Sequence, residues 1–530
     1  MTTAGETVRG YHRRTSHRFE GYAPGPATLD WDGQPDPFRR FDGCPHIDLP
    51  LAADSLAVPF SDLGRADAKP FDLRSLGILF ELCFAISAWK AYGGDRWALR
   101  CNPSSGNLHP TEAYVLPFGV DGIEPAVCHY RADQHALEQR CPITPLPKAR
   151  GMLVGLSSIH WREAWKYGER AFRYSQLDAG HAVAALCYAA AALGWQCTLQ
   201  RDWSSDDIVT LLGLDRPEDY AGVEPESPEA LLWVHAGCPP PEKMVLLAAA
   251  GSGDWHGRAS LLDPKPMYAW PAIETVERTT TIPSLPPVHD SADAFPPPLP
   301  AVCAEPAANI IRRRRSAQHF DPRPLLPQAD FLRVLDATLP RHSLLPWCCN
   351  AVPIRTHLVL YVHRVEGLRQ GLYALVRRPE AQEQLKDAMR GEFAWERLEH
   401  TNLPLYALIY ADTRRAARTL CCHQDIAGDA AFAVAMLGEF DHALSDGPWA
   451  YRYLYWEAGM IGQVLYLQAE AAGIRGTGIG CYFDPGVHET LGLQDTAFQS
   501  MYHFTVGTPM VDSRIETLPA YAHRGNGLPE

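Results

Sequence analysis

Four consecutive arginines, Arg312-Arg313-Arg314-Arg315, run directly into Ser316. Arginine presents a fork of N–H donors matched to phosphate or carboxylate, and a serine hydroxyl adds one more. The plain alternative is a solvated helix end. A second block, Asn102-Pro103-Ser104-Ser105-Gly106-Asn107-Leu108-His109-Pro110, is turn chemistry leading into a strand-like run over 111–116. A small polar loop of this kind lets a flat ligand approach the backbone closely. By itself it also reads as an ordinary turn. A third candidate is Lys166-Tyr167, within Trp165-Lys166-Tyr167-Gly168-Glu169-Arg170. A buried lysine with a lowered pKa can take a proton, and a tyrosine can relay one or hold a substrate. The alternative is a surface lysine beside aromatic residues. His109 and His181 stand alone, and lone histidines are usually structural.

Other chemistries find little support. The 14 cysteines are scattered, with no CxxC, and no histidine shows zinc-site spacing, so no metal is expected. The adjacent pairs Cys348-Cys349 and Cys421-Cys422 cannot chelate a metal in the usual way, and most cysteines read as small buried hydrophobes. A redox role is open to Cys348 and Cys349, although nothing nearby in sequence lowers their pKa. A formal charge of −14 argues against a nucleic-acid face but allows one small basic pocket. Residues 1–10 are polar and lack an apolar core, and the apolar run over 183–195 is too short to cross a bilayer. The expected setting is cytoplasmic.

The elements that must position these residues are set out by repetition and by proline. Arg173, Asp178, Gly180, Gly194 and Gly213 match Arg452, Glu457, Gly459, Gly473 and Gly492 at one offset of 279. Each window opens a helix apolar nearly all round, closes it at Gly194 or Gly473, and continues into a short strand. Two further echoes lie in the same order. Arg13-Arg14-Thr15 resembles Arg314-Arg315-Ser316 at offset 301, and Pro103 to Asn107 resembles Pro346-Trp347-Cys348-Cys349-Asn350 at offset 243. Proline is enriched, at 45 of 530 residues, and 11 of these fall between Pro264 and Pro306. The chain reads as a tandem duplication of an α+β unit: copy one over 1–263, an extended Pro-rich linker over 264–306, and copy two over 307–530.

Taken together, the Arg-Arg-Ser block, the Pro-Ser-Ser-x-Asn loop, and the Ala-rich core helix followed by a Gly-rich strand resemble the nitroreductase family of flavoproteins. The duplication and the Lys166-Tyr167 segment resemble its SagB-type, thiazole/oxazole-forming dehydrogenase branch. The resemblance implies two tandem nitroreductase-like α/β sandwich domains forming an intramolecular pseudo-dimer, with FMN bound between them. It implies FMN contacts from Arg314, Arg315, Ser316 and Arg514, from Gly478, Ile479 and Gly480, and from Pro103, Ser104, Ser105 and Asn107. Gln318 stands where many members carry a second basic residue, so either phosphate affinity is weaker or Arg312 and Arg313 compensate.

The two sites are unequal. The second would join Arg13, Arg14 and Thr15 to Trp347-Cys348-Cys349-Asn350, which loses hydroxyls and gains bulk. Copy two also has Ser445-Asp446 where copy one has Lys166-Tyr167. One FMN per chain is therefore expected. The implied activity is that of an FMN-dependent dehydrogenase or oxidase, passing a substrate hydride to flavin N5 while Lys166 or Tyr167 takes the proton. Azoline-containing peptides are the substrate class implied, with a small molecule as the alternative, and modification-pathway enzymes are the implied partners. The rival readings are an NAD(P)H-dependent nitro or quinone reductase and a flavin-free scaffold or peptide-binding protein. No GxGxxG follows a strand, so a dedicated dinucleotide site is not expected.

Overall fold

A computed structural model describes residues 3–144, 149–286, 295–399 and 401–522. The middle of the predicted linker, 287–294, lies outside the described residues. Two long helices, Ala171–Ala192 and Ala450–Ala471, form the centre. They are related by the predicted 279 offset, and Gly194 and Gly473 follow them with φ of 70° and 73°. That is the left-handed conformation in which glycine ends helices.

Each central helix lies against a seven-stranded antiparallel sheet. The first sheet runs, in spatial order, His46–Asp48, Ala136–Pro142, Ala126–Arg131, Thr111–Phe118, Gly151–Ser158, Ser227–His235 and Gln196–Leu199. The second runs Glu396–Arg397, Leu405–Tyr410, Gly371–Leu375, Thr356–Val362, Phe432–Glu439, Phe498–Gly507 and Arg475–Ile479. Six of the seven strands coincide in order, as a duplicated α+β unit requires; the edge strands differ, His46–Asp48 preceding its sheet in the chain and Glu396–Arg397 lying between Gly371–Leu375 and Leu405–Tyr410. No helix among the described residues is long and apolar enough to cross a membrane.

The central helices touch backbone to backbone. A Cβ on Gly180 would lie 2.2 Å from the Trp456 carbonyl oxygen, and one on Gly459 would lie 2.2 Å from that of Leu177. Around this crossing the polar contacts also join the halves. Trp456 Nε1 donates to Gln176 Oε1 at 2.8 Å, and His181 Nδ1 lies 3.3 Å from Gln463 Oε1. His181 is thus a buried interface residue.

The predicted linker is partly helical and partly core. Helix Pro271–Thr279 buries Ile273 and Val276. Arg452 donates to the Thr280 oxygens at 3.0 and 3.1 Å and to Glu277 O at 3.3 Å. In the first half Arg173 does the same to Thr15 Oγ1, at 2.8 Å, and to His12 O, at the end of helix Ala4–Arg14. The counterpart of helix Ala4–Arg14 is therefore helix Pro271–Thr279, and the second half begins inside the predicted linker. The echo of Arg13-Arg14-Thr15 with Arg314-Arg315-Ser316 is not a structural repeat.

A feature not predicted completes the arrangement. The hairpin Ile86–Tyr92 and Asp95–Arg100 of the first half takes a third strand, Glu516–Leu518, from the second. Tyr521 fixes this exchange, accepting from Ile86 N at 3.1 Å and donating to Ala132 O at 2.8 Å.

Gly459→Ala forces the crossing helices apart and is expected to cost about 1–3 kcal/mol in urea unfolding. Gly10→Ala, in helix Ala4–Arg14 with nothing within 4 Å of the added carbon, is expected to stabilise by about 0.5–1 kcal/mol. Equal effects would refute the reading of the crossing.

Candidate functional site

A cleft of about 410 Å³ opens where the halves meet. Its walls carry Pro103, Ser104, Ser105 and Asn107 from the first half and Arg314, Arg315, Ser316, Gly478, Ile479 and Gly480 from the second. The structure thus gathers these ten sequence-predicted residues in one place. The volume falls within the usual range for small-ligand sites, roughly 300–1,000 Å³.

One end of the cleft is cationic. The four-arginine run divides its work by position. Arg312 pairs with Glu81 at 3.1 Å and with Asp54, while Arg313 pairs with Glu470 and Glu305, each at 2.7 Å. These two brace the structure, so the alternative that they compensate for Gln318 is corrected. Arg314 is buried and donates to the Arg100 and Cys101 carbonyls at 3.0 and 3.3 Å. Arg315 donates to the carbonyl oxygens of Arg312, Arg314 and Ser87. Among the described residues neither Arg314 nor Arg315 has a carboxylate partner. Burial and then the neighbouring Arg314 push the Arg315 pKa down to about 10. Lys90, on the exchanged hairpin, is also lowered by burial and by Arg315 and Arg475. Arg475 lines the same end and lies 3.7 Å from Glu470, a long ion pair. A cluster of cations that depress one another's pKa is stabilised by an anion.

Arg514 does not line the cleft. It is exposed and paired with Asp512 at 2.7 Å, because a turn brings the residue two positions earlier onto its guanidinium. The additional lysine and arginines of the cleft are Lys90, Arg475 and Arg100, the last donating to Pro37 O. All three stand singly in the sequence, without a motif to mark them.

The predicted loop acts mainly by holding its own shape. His109 N donates to Ser104 Oγ at 2.8 Å, and Asn107 Nδ2 donates to Ala98 O at 2.8 Å. Ser105 donates to Asp178 from its backbone N at 3.1 Å and its hydroxyl at 3.0 Å. Asn102 Oδ1 and His109 Nδ1, both buried on the wall, have no hydrogen-bond partner. On the opposite wall, side chains at Gly478 and Gly480 would collide with Tyr502 and Tyr174. Glycine at these positions makes room for the two tyrosine rings that share the wall.

Tyr167 lines the cleft, with its hydroxyl over Gly106 and its ring 4.6 Å from that of Tyr174. Burial and Glu163 raise its pKa well above the ordinary value, so it stays protonated at neutral pH. Lys166 does not line the cleft. Its ammonium stands 5.5 and 5.4 Å from the Trp31 and Tyr167 ring centres, one layer behind. Burial lowers its pKa and Glu163 opposes this. Behind the Ser104-Ser105 loop lie two buried carboxyls missed at the sequence level. Glu163 is pushed well up by burial and by Asp178, and Asp178 is pushed up to about 7 by burial. Asp178 also lines the cleft. Its only sequence signal was its place in the 279 repeat, opposite Glu457.

The symmetry-related position holds a second cavity of about 400 Å³. There Cys187 and Gln196 occupy the places of Tyr466 and Arg475, and Leu344, Leu345 and Cys348 supply the loop. Its lining contains no charged residue. Arg13, Arg14 and Thr15 are absent from it. Arg14 pairs with Glu169 instead, and Thr15 receives Arg173.

Residues 96–223 and 311–508, together more than half of the chain, match the nitroreductase family. The chain belongs to the nitroreductase family. A nitroreductase-like protein of Methanocaldococcus jannaschii is 24% identical over 139 residues, which span 24% of this chain and 67% of that one. A crystal structure of a nitroreductase-like protein from Anabaena variabilis superposes with a TM-score of 0.69 at 21% identity, covering 95% of this chain and 99% of that one. It shares the fold across both halves. A nitroreductase-like protein from Exiguobacterium sibiricum, solved in complex with FMN, aligns at 12% identity over 38% of this chain and 88% of that one, with a TM-score of 0.22.

The cleft residues fit FMN. Arg314 and Arg315, which have no carboxylate partner among the described residues, form with Lys90 and Arg475 a cationic end suited to a phosphate. Gly478 and Gly480 present backbone to the cleft beside the Tyr502 and Tyr174 rings, and Asn102 Oδ1 offers an acceptor inside. Among the described residues no cluster of His, Cys, Asp and Glu could hold a metal ion.

The raised Asp178 pKa has a consequence for stability. The folded chain holds this proton more tightly than the unfolded chain. The contribution is full below the unfolded carboxylate value, ~4, and is lost as pH rises through about 7. Asp178→Asn keeps an acceptor for Ser105 and is expected to flatten stability across that window in urea melts at fixed ionic strength. An unchanged slope would show that Asp178 ionises normally.

Proposed function

We propose that this chain is an FMN-dependent dehydrogenase or oxidase of the SagB type. The observation that carries the reading is the cleft between the halves, lined by Arg314 and Arg315 without carboxylate partners among the described residues, by Gly478 and Gly480, and by Tyr167. Bound FMN would supply a two-electron acceptor for a substrate hydride. Arg314, Arg315, Lys90 and Arg475 would hold its phosphate, and the 102–109 loop with Gly478, Ile479 and Gly480 would bracket its ring.

Tyr167 is the group that meets the substrate. Its proton is retained at neutral pH, so it donates a hydrogen bond to the substrate and passes a proton only if one moves on behind it. Lys166, adjacent and partly desolvated, is the positioning residue that receives it. Asp178 and Glu163, held protonated or near neutrality by burial, keep the floor of the cleft from becoming anionic. An anionic floor would oppose a bound phosphate and an electron-accepting ring. The substrate class proposed is an azoline-containing peptide, whose ring loses two hydrogens to become an azole. The setting proposed is the cytoplasm, beside other enzymes of a peptide-modification pathway.

Purified chain is expected to release one FMN on denaturation, measured by absorbance. Two equivalents would refute the assignment of the uncharged second cavity as empty of flavin. Arg315→Ala should weaken FMN about 10- to 100-fold, the range for losing hydrogen bonds to a charged group. Colourless protein that cannot be reconstituted would favour the scaffold reading.

Tyr167→Phe should lower turnover of an azoline peptide about 100-fold with FMN content unchanged. Lys166→Ala should abolish turnover at neutral pH with partial recovery at higher pH, where solvent base substitutes. Activity equal to the parent would remove the pair from the mechanism. Rapid anaerobic bleaching of the flavin by NADPH alone would instead assign the chain as a reductase.

A further inference from the structure

The glycine wall of the cleft ends at Cys481, and the Cys481 sulfur lies 2.6 Å from that of Cys422. The two come from separate elements. Cys481 follows the strand Arg475–Ile479, and Cys422 sits in the turn after helix Arg414–Leu420. That turn holds Cys422 and His423 at φ of 53° and 60°, a region that residues with a Cβ seldom occupy. Backbone strain of this kind persists where the surroundings enforce it, often at functional positions. Gln424 fastens the turn to the wall, its Nε2 donating to Cys421 O at 2.9 Å and to Cys481 O at 3.3 Å.

The pair differs from most cysteines of the chain. Cys83, Cys101, Cys128 and Cys141 are among those buried, whereas Cys422 and Cys481 are both partly exposed and in contact with each other. Cys481 is reached from the cleft. His17 hydrogen-bonds to Cys481, and Arg170 adds a positive charge nearby. The hydrogen bond with Cys422, ahead of those two, holds the Cys481 thiol well below the ordinary cysteine value against the opposing effect of burial. Cys422 is shifted the other way by the same contact. The contact lets one sulfur of the pair ionise while the other keeps its proton, and His17 stands on the Cys481 side.

We propose that Cys481 and Cys422 form a peroxide-responsive dithiol–disulfide couple on the rim of the cleft, with Cys481 attacking and Cys422 resolving. The oxidant is hydrogen peroxide. The Cys481 thiolate attacks one peroxide oxygen, so that an S–O bond forms, the O–O bond breaks, and hydroxide leaves and is protonated to water. The Cys422 sulfur then attacks Cys481. An S–S bond forms, the S–O bond breaks, and the second water leaves with the Cys422 proton. Two thiols and one peroxide give one disulfide and two waters, with two electrons passing from sulfur to oxygen. The sulfurs are already in contact, so closure requires them to approach by only about half an ångström. The bond would fix Gln424 and Cys481, both of which line the cleft. The inference stands on the thiol pair itself and is independent of whether the cleft binds flavin.

The test uses the full-length reduced protein. It is treated with one equivalent of hydrogen peroxide, alkylated with iodoacetamide, digested and mapped by mass spectrometry. The expected product is a Cys422–Cys481 cross-linked peptide pair that dithiothreitol reverses, formed before the exposed Cys238 is modified. Cys422→Ser should leave Cys481 as a sulfenic acid trapped by dimedone. Cys481→Ser should slow peroxide-dependent loss of the Cys422 thiol at least ~10-fold. Full alkylation of both cysteines after peroxide, or oxidation of Cys238 ahead of them, would overturn the proposal. The wild-type map decides the matter even if a serine variant fails to fold.

Discussion

Everything in this molecule hangs on two helices that meet without side chains between them. At Gly180 and Gly459 a carbon atom cannot be added without striking the opposite backbone. Close approach of this kind sets the distance between the halves, and the pairs Gln176–Trp456 and His181–Gln463 set their rotation. Given that one contact, the second half's Arg314 and Arg315 must fall beside the first half's 102–109 loop. Neither half holds a complete site. The cleft is a property of the crossing.

The electrostatic plan is equally divided. Four adjacent arginines look like one feature in the sequence, but the helix ends between them: Arg312 and Arg313 in its last turn meet carboxylates, while Arg314 and Arg315, in the segment beyond, meet carbonyl oxygens. Carbonyls orient a guanidinium without cancelling its charge. The second pair therefore remains available to an anion, while the first pair ties the segment to Glu81 and Glu470. At the far end of the cleft, burial keeps Glu163 and Asp178 from ionising as exposed carboxyls would.

Much of this was legible in the sequence. The 279 offset located both central helices, their glycine caps and the crossing glycines, because close packing leaves no freedom at those positions. The Ser104-Ser105 loop and the Arg314–Ser316 block were legible because turn and fork chemistry are local. What failed did so for physical reasons. Arg13-Arg14-Thr15 imitates a cofactor block because helix ends gather basic residues and a capping hydroxyl whatever their purpose. The helix within the predicted linker was hidden by its prolines, one of which, Pro271, merely starts it. Arg514 was misplaced because Asp512 lies two residues away. Lys90 and Arg475 reach the cleft only through strand pairing between distant segments, which no local pattern announces. Asp178 owes its altered acidity to burial, which is tertiary.

The exchanged strand Glu516–Leu518 bears on how the protein comes into being. It pairs with the Lys90 hairpin of the first half, so that hairpin gains its third strand only once the chain has been made as far as the second sheet. A first half folded alone has the hairpin but not Arg314, Arg315 or Arg475. The cationic end of the cleft is therefore completed late, by the meeting of two halves rather than by the folding of either.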